Sequence, residues 1–171
     1  LYMERGIKPE IEIFDTGMLG ITEHFVKKGH LPTPCHYQFC LGVPGGMSAT
    51  VEHLQYLVTH IPAGSTWSAF GVGRGHMPIL FAALALGGHI RVGMEDNVVF
   101  GVDESGKKIL ATNHMLVERA VAAVRAYGNR PATPAEARAM LGIPAFDGPA
   151  VRAALGLSKG GDDMNADFHG K

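Results

Sequence analysis

The sequence lacks most features by which several protein classes declare themselves. It has no Lys/Arg cluster, and its 15 basic residues against 16 acidic ones leave a formal charge of −1, so the electrostatic footprint of a nucleic-acid binder is missing. Its apolar runs are short: the longest, around Ile79 to Leu86, falls far below the ~20 residues that cross a bilayer, and no charged-then-apolar leader is seen. Neither a membrane protein nor a secretory precursor is expected. Cysteine is scarce. Cys35 and Cys40 lie in and beside one expected strand, where neither a bridge nor a zinc knuckle is favoured, and a reducing, cytoplasmic setting is the default. The nine histidines make no H-x-H and no H-E-x-x-H, no Walker lysine is present, and Ser48 sits in no G-x-S-x-G elbow. A self-contained zinc site, a P-loop and a hydrolase elbow are thereby set aside.

What the 171 residues do contain is apolar and glycine-rich: 46% are hydrophobic, only 18% are charged, and 23 are glycine, which fits a folded globular protein with many tight turns. Glu10 to Phe14 reads as a strand closed by Asp15-Thr16-Gly17, followed by a helix from about Met18 to Lys28. His36 to Leu41 is a second strand, followed by a helix with Val51, Leu54, Leu57 and Val58 at period 3.6. Thr66 to Val72 is a third, followed by an almost wholly apolar helix from Met77 to Leu86, and His89 to Met94 is a fourth. A hairpin turn is expected at Glu104-Ser105-Gly106, and then a long helix capped by Asn113 and ended by Gly128. Thr133-Pro134-Ala135-Glu136 opens one more short helix.

Strands beginning near residues 10, 35, 65 and 89 are spaced as a strand plus its crossover helix, so four consecutive βα units and a parallel sheet are expected. The fold is α/β: either a doubly wound open sheet or part of a (β/α)₈ TIM barrel. A whole barrel usually takes about 250 residues. The chain also opens without Met, in what reads as the end of a helix already under way, and a fragment is favoured. Residues 1–157 are read as one domain and 158–171 as a Gly/Asp-rich mobile tail.

The segment Arg91-Val92-Gly93-Met94-Glu95-Asp96-Asn97 carries the most chemical information. In an extended strand Arg91, Gly93 and Glu95 share one face while Val92 and Met94 pack under helices. An arginine and a glutamate on the inner face of a barrel are costly unless paired or bound to metal, and Glu95 and Asp96 fall at the strand's carboxyl end, where barrel enzymes place catalytic groups. A structural ion pair followed by an Asp/Asn turn is the competing reading. Glu10 and Glu12 share a face of the first strand, and Arg91 could satisfy one of them structurally. The turns Gly42-Val43-Pro44-Gly45-Gly46 and Gly71-Val72-Gly73-Arg74-Gly75 each join a strand to a helix; they could cradle an anion or be ordinary βα turns. His114 and Glu118 could share a metal or form a solvated pair, and His36 and His89 could simply hydrogen-bond in the barrel floor.

Taken in order, Pro9 to Gly17, Gly42 to Gly46, Gly71 to Arg74, Gly88 to Asn97 and Pro131 to Arg138 resemble the β-keto acid cleavage enzymes, with R-V-G-x-E-D-N the most specific part. The resemblance covers about Pro9 to Pro144. It implies a zinc-dependent (β/α)₈ barrel that converts a β-keto acid and acetyl-CoA into acetoacetate and a new acyl-CoA, with this chain supplying about the last four βα units. It implies a Zn²⁺ ligand at Glu95 and a general base at Asp96, held and tuned by Arg91 and by Glu12, with Glu10 as second choice. Two histidines of an H-x-H complete the family's metal site, and this chain has none. Zinc would act as a Lewis acid on the ketone, lowering the cost of removing a carbon-bound proton. Gly45, Gly46, Gly73 and Arg74 would face CoA or substrate phosphates, and a homo-oligomer is implied. Other readings are a different metal-assisted carbon-carbon lyase on the same barrel, or a half-barrel acting only by association, since two bare parallel edges favour self-pairing.

Overall fold

The computed structural model describes residues 2, 4, 6–145 and 148–154. The expected tail at 158–171 lies outside the described residues. Contacts divide the chain into two units, the first up to Thr133 and the second from Pro134 onward.

In the first unit four strands alternate with helices: β1 (Glu10–Ile13), α1 (Thr16–Lys27), β2 (His36–Leu41), α2 (Val51–His60), β3 (Thr66–Gly71), a 3₁₀ turn at Gly73–Gly75, α3 (His76–Ala85) and β4 (His89–Ile90). An antiparallel hairpin, β5 (Val99–Val102) and β6 (Lys108–Leu110), and α4 (Asn113–Ala126) follow. The strands β1-β2-β3-β4 pair in that order and all in parallel. Sequential order without reversal is compatible with part of a barrel, whereas a doubly wound sheet changes direction at a switch point.

Side-chain alternation sorts the sheet into two unlike faces. Ile13, Tyr37, Phe39, Leu41, Trp67 and Ala69 form one buried core with Leu54 and Leu57 of α2 and with Ile79, Ala82 and Ala83 of α3; Met18, Leu19 and Val26 of α1 pack against it. Fully burying a side chain such as Leu54 contributes about 1.5–3 kcal/mol. The residues in between are mostly polar: Glu10 and Glu12, His36 and Gln38, Thr66 and Ser68, and His89. Among them Ser68 Oγ donates to Gln38 Oε1 at 2.9 Å, and His36 Nδ1 lies 2.9 Å from Thr66 Oγ1. His36 thus hydrogen-bonds on the strand floor, whereas His89 is exposed, its ring 6.4 Å from that of His36. Cys35 and Cys40 are both buried and free.

The helix starts follow from capping. Asp15 accepts from the Gly17 and Met18 amides to start α1, and Thr50 accepts from His53 N–H to start α2. Gly75 is required by close approach: a Cβ there would collide with that of Ala49, so the turn after β3 could not seat against the loop before α2. The expected hairpin turn forms around Gly106 at φ +82°, with Asp103 Oδ1 accepting from the Ser105 and Lys107 amides.

Two expectations need correcting. The fourth strand is only His89–Ile90; its ladder to β3 runs out at Arg91 N–H to Ala69 O (3.3 Å), and Gly93 O then accepts from the Asp96 and Asn97 amides in a turn. Val92 still packs against the cluster of Leu80, Leu84, Ala120 and Ala123, but the turn rotates Met94 outward, where it is exposed. The N-cap of α4 is Thr112, whose side chain accepts from Met115 N–H; Asn113 is the first helical residue and reaches elsewhere. In the second unit α5 (Pro134–Leu141) begins at the expected Pro134, and α6 is Gly148–Ala154. Among the described residues no helix is long and apolar enough to cross a membrane.

Candidate active site

The carboxyl ends of β1 to β4 meet at an open cleft of about 320 Å³. Its charged wall is Glu12, Arg91, Glu95 and Asp96; Phe14, Val43, Pro44, Phe70 and Val72 make the apolar remainder. Arg91 leaves the end of β4 and lies 4.5 Å over the Phe70 ring, which orients the guanidinium toward three carboxylates. Nε and Nη2 donate to the two oxygens of Asp96 at 3.1 and 3.0 Å, Nη1 to Glu12 Oε1 at 3.3 Å, and Nη2 also to Glu95 Oε2 at 2.6 Å. The bidentate bond to Asp96 is the strong one, because that side chain is only 6% exposed while Glu12 is half exposed and Glu95 is 82% exposed.

Burial lifts the Asp96 carboxyl above its ordinary range, and Arg91 pulls part of the way back. Burial outweighs the pull of Arg91, which makes the group a stronger base than an exposed aspartate. The Arg91 guanidinium is held charged: burial disfavours its charge, but Asp96, Glu95 and Glu12 more than offset that. One guanidinium thus faces three carboxyl groups. Behind Glu12, the Cys40 thiol is pushed up to about 12 by burial and by the neighbouring carboxylates, so it is a protonated thiol.

The two glutamates of β1 separate. Glu12 joins the Arg91 group, whereas Glu10 Oε2 lies 3.3 Å from His36 Nε2. Burial, with repulsion from His89 and Lys8, lowers the His36 pKa to about 4, so the ring is neutral at pH 7 and its contact with the half-exposed Glu10 is not a pair of opposite charges.

Gly45 and Gly46 lie in the turn after β2, and Gly73 and Arg74 in the turn after β3. Gly46 N–H donates to Val43 O (3.0 Å) and Gly73 N–H to Asn97 Oδ1 (2.8 Å), so neither amide points free at the cleft; Arg74 is exposed. His114 and Glu118 form an exposed pair at 3.2 Å. Among the described residues no group of three or more His, Cys, Asp or Glu could hold a metal ion. Glu95 offers one carboxylate toward solvent, which suits one ligand position but falls short of the three or four protein ligands that zinc takes. Among the described residues Glu95 is thus a single candidate ligand position.

Sequence reasoning missed the partners of two asparagines. Asn97, 5% exposed, accepts from Gly73 N–H and donates through Nδ2 to Gly71 O (3.0 Å) and His76 Nδ1 (3.1 Å). Asn113 Oδ1 accepts from Met94 N–H at 2.8 Å. Neither partner is close in sequence, and no local pattern announces them.

Residues 1–143 match the family described as beta-keto acid cleavage enzyme. The chain is 41% identical over 141 residues to the 3-keto-5-aminohexanoate cleavage enzyme of Acetoanaerobium sticklandii, covering 82% of this chain and 50% of that protein. It is 44% identical over 144 residues to the protein of the same name from Fusobacterium nucleatum, covering 84% and 50%. It is 36% identical over 146 residues to the 3-oxoadipate:acetyl-CoA acetyltransferase of Cupriavidus necator, covering 83% and 50%. The chain spans about half the length of these relatives. The order of its βα units, the cleft at their carboxyl ends and the sequence matched across it together make this chain a member of the β-keto acid cleavage enzyme family.

Proposed function

We propose that the protein containing this chain transfers an acyl group between a β-keto acid and acetyl-CoA, releasing acetoacetate and a new acyl-CoA, and that this chain supplies about the last four βα units of a (β/α)₈ barrel. The observation that carries the reading is Asp96: a buried carboxylate with a raised pKa, held bidentate by Arg91, at the carboxyl end of a parallel sheet and open to a cleft. The names of the relatives support the acetyl-CoA chemistry.

Asp96 takes a proton from the carbon between the substrate's carboxylate and ketone. Arg91 fixes the orientation of the base, and Glu12 holds Arg91 from the opposite side. The carbanion attacks the acetyl thioester, CoA is transferred within the adduct, and a retro-Claisen cleavage releases the acetoacetate carbanion, which regains its proton from Asp96, so no atom is gained or lost overall. Glu95 is the one zinc ligand this chain would contribute, the others coming from outside it; when bound, the metal supplies Lewis-acid polarisation of the ketone. The contact with CoA phosphates falls to Gly45 and Arg74, because the Gly46 and Gly73 amides are engaged within the fold. The reading includes a cytoplasmic homo-oligomer, and the buried free thiols accord with a reducing compartment.

The test is acetoacetate formation by the full-length protein from acetyl-CoA and a panel of β-keto acids, wild type beside Asp96→Asn. Acetyl-CoA-dependent turnover that disappears in the variant is expected. Normal turnover in Asp96→Asn would remove the base, and cleavage without acetyl-CoA would make the protein a lyase of another kind.

A further inference from the structure

The Glu95-Asp96 pair sits on a five-residue turn, and a turn has little stiffness of its own. Its backbone makes two internal bonds, from Asp96 N–H and Asn97 N–H to Gly93 O. Arg91 grips the side chains of Glu95 and Asp96, and two asparagine side chains from neighbouring positions fix the two ends of the turn. At one end Met94 N–H donates to Asn113 Oδ1, on the first residue of α4. At the other, the Asn97 carboxamide is saturated by Gly71 O, Gly73 N–H and His76 Nδ1, all on the segment that leaves β3 for α3. Reversing that amide would set its oxygen against the Gly71 carbonyl and its NH₂ against the Gly73 N–H, so its orientation is fixed by its partners. The two anchors lie on different elements, each packed into the unit by a buried face: Ile79, Leu80 and Ala83 on α3, Leu116, Ala120 and Ala123 on α4.

We propose that Asn97 and Asn113 are positioning residues, which pin the Gly93–Asn97 turn at both ends and so hold the Asp96 carboxylate in line with the Arg91 guanidinium. This rests on the reading of Asp96 as the base. Asn113 is the informative one. It is exposed, it is not the N-cap of its helix, and its bond uses the side-chain oxygen alone, so Asp can replace it in that bond while Ala cannot. Neither change removes a buried group or a cap.

The experiment compares wild type, Asn113→Ala, Asn113→Asp and Asn97→Ala in the full-length enzyme, by amide hydrogen exchange over the Gly93–Asn97 turn and by steady-state kinetics with acetyl-CoA and the best β-keto acid. Asn113→Ala is expected to exchange faster at Met94 and to lose roughly ten- to a hundredfold in kcat with KM within about twofold, the cost of a slightly misplaced reacting group. Asn113→Asp is expected to restore both. Asn97→Ala tests the other anchor, with the added cost of orphaning buried partners. Unchanged exchange in Asn113→Ala, unchanged kcat, or failure of Asn113→Asp to rescue would each overturn the proposal. A wild-type enzyme with no acyl transfer would defeat the function above instead, and the exchange data would still report whether the anchor holds the turn.

Discussion

Replacing Arg91 by Met should show how much of the local stability hangs on one guanidinium. Met keeps an unbranched apolar stem over Phe70 but removes every donor. Glu12 and Glu95 are well exposed, so losing their bonds costs about 0–1 kcal/mol each. Asp96, at 6% exposure, would keep its burial penalty and lose both its bonds; an orphaned buried carboxylate costs about 3–5 kcal/mol, and the open cleft beside it sets the expectation near 3. Asp96→Asn leaves Arg91 with its two other partners and should cost about 1 kcal/mol. In the double variant no buried charge is stranded, so the combined loss should fall short of the sum by about 2 kcal/mol. Urea unfolding of the four proteins at pH 7 measures this directly. Additivity within about 0.5 kcal/mol would refute the claim that the pair is energetically coupled.

Other expectations follow from the same geometry. Because His36 is depressed to about 4 from 6.5, the unfolded chain binds its proton first on acidification; stability present above pH 6.5 should be lost as pH falls toward 4, by roughly 3 kcal/mol for this group, and His36→Gln should flatten that part of a stability-pH profile. An unchanged acid limb in the variant would count against it. Gly75→Ala forces a methyl group onto Ala49 and should destabilise by about 1–3 kcal/mol, read as a lower urea midpoint. Arg119 donates to Phe100 O at 2.7 Å and stacks on the Phe100 ring at 4.1 Å, so Arg119→Ala should speed amide exchange in the β5–β6 hairpin while leaving β2 and β3 protected; equal loosening of all strands would speak against a local role.

Much of the sheet was readable because its signals are local. Short apolar runs closed by glycine turns mark the strands, and the period-3.6 leucines of α2 name its buried face without knowledge of any partner. Side-chain alternation led too far at Val92-Gly93-Met94: it continues in the sequence, but Gly93 turns the chain and ends the strand at Ile90. Of the site, a bond from Arg91 to one of the first-strand glutamates was legible from the strand faces, while the choice of Glu12 and the grip on Asp96 came from the family resemblance. That Glu10 belongs to His36 was not legible, since it depends on register: Glu10 pairs with His36 and Glu12 with Gln38 across β1 and β2. Asn113 looked like a helix cap because Asn favours that place; Thr112, one residue earlier, took it and released Asn113 to bind Met94.

Consecutive residues of the Gly93–Asn97 turn face three different media. Glu95 stands in solvent, Asp96 is sunk beside Arg91, and Asn97 is sunk in the opposite sense, into the turn after β3. Adding or removing a single residue here would therefore shift all three side chains into one another's surroundings at once, placing a carboxylate against the Gly71 carbonyl. The hairpin turn a few residues later, whose bonds are made within Asp103 to Lys107 alone, carries no such constraint. Length variation among homologous chains should accordingly collect in the hairpin and be absent from the acidic turn.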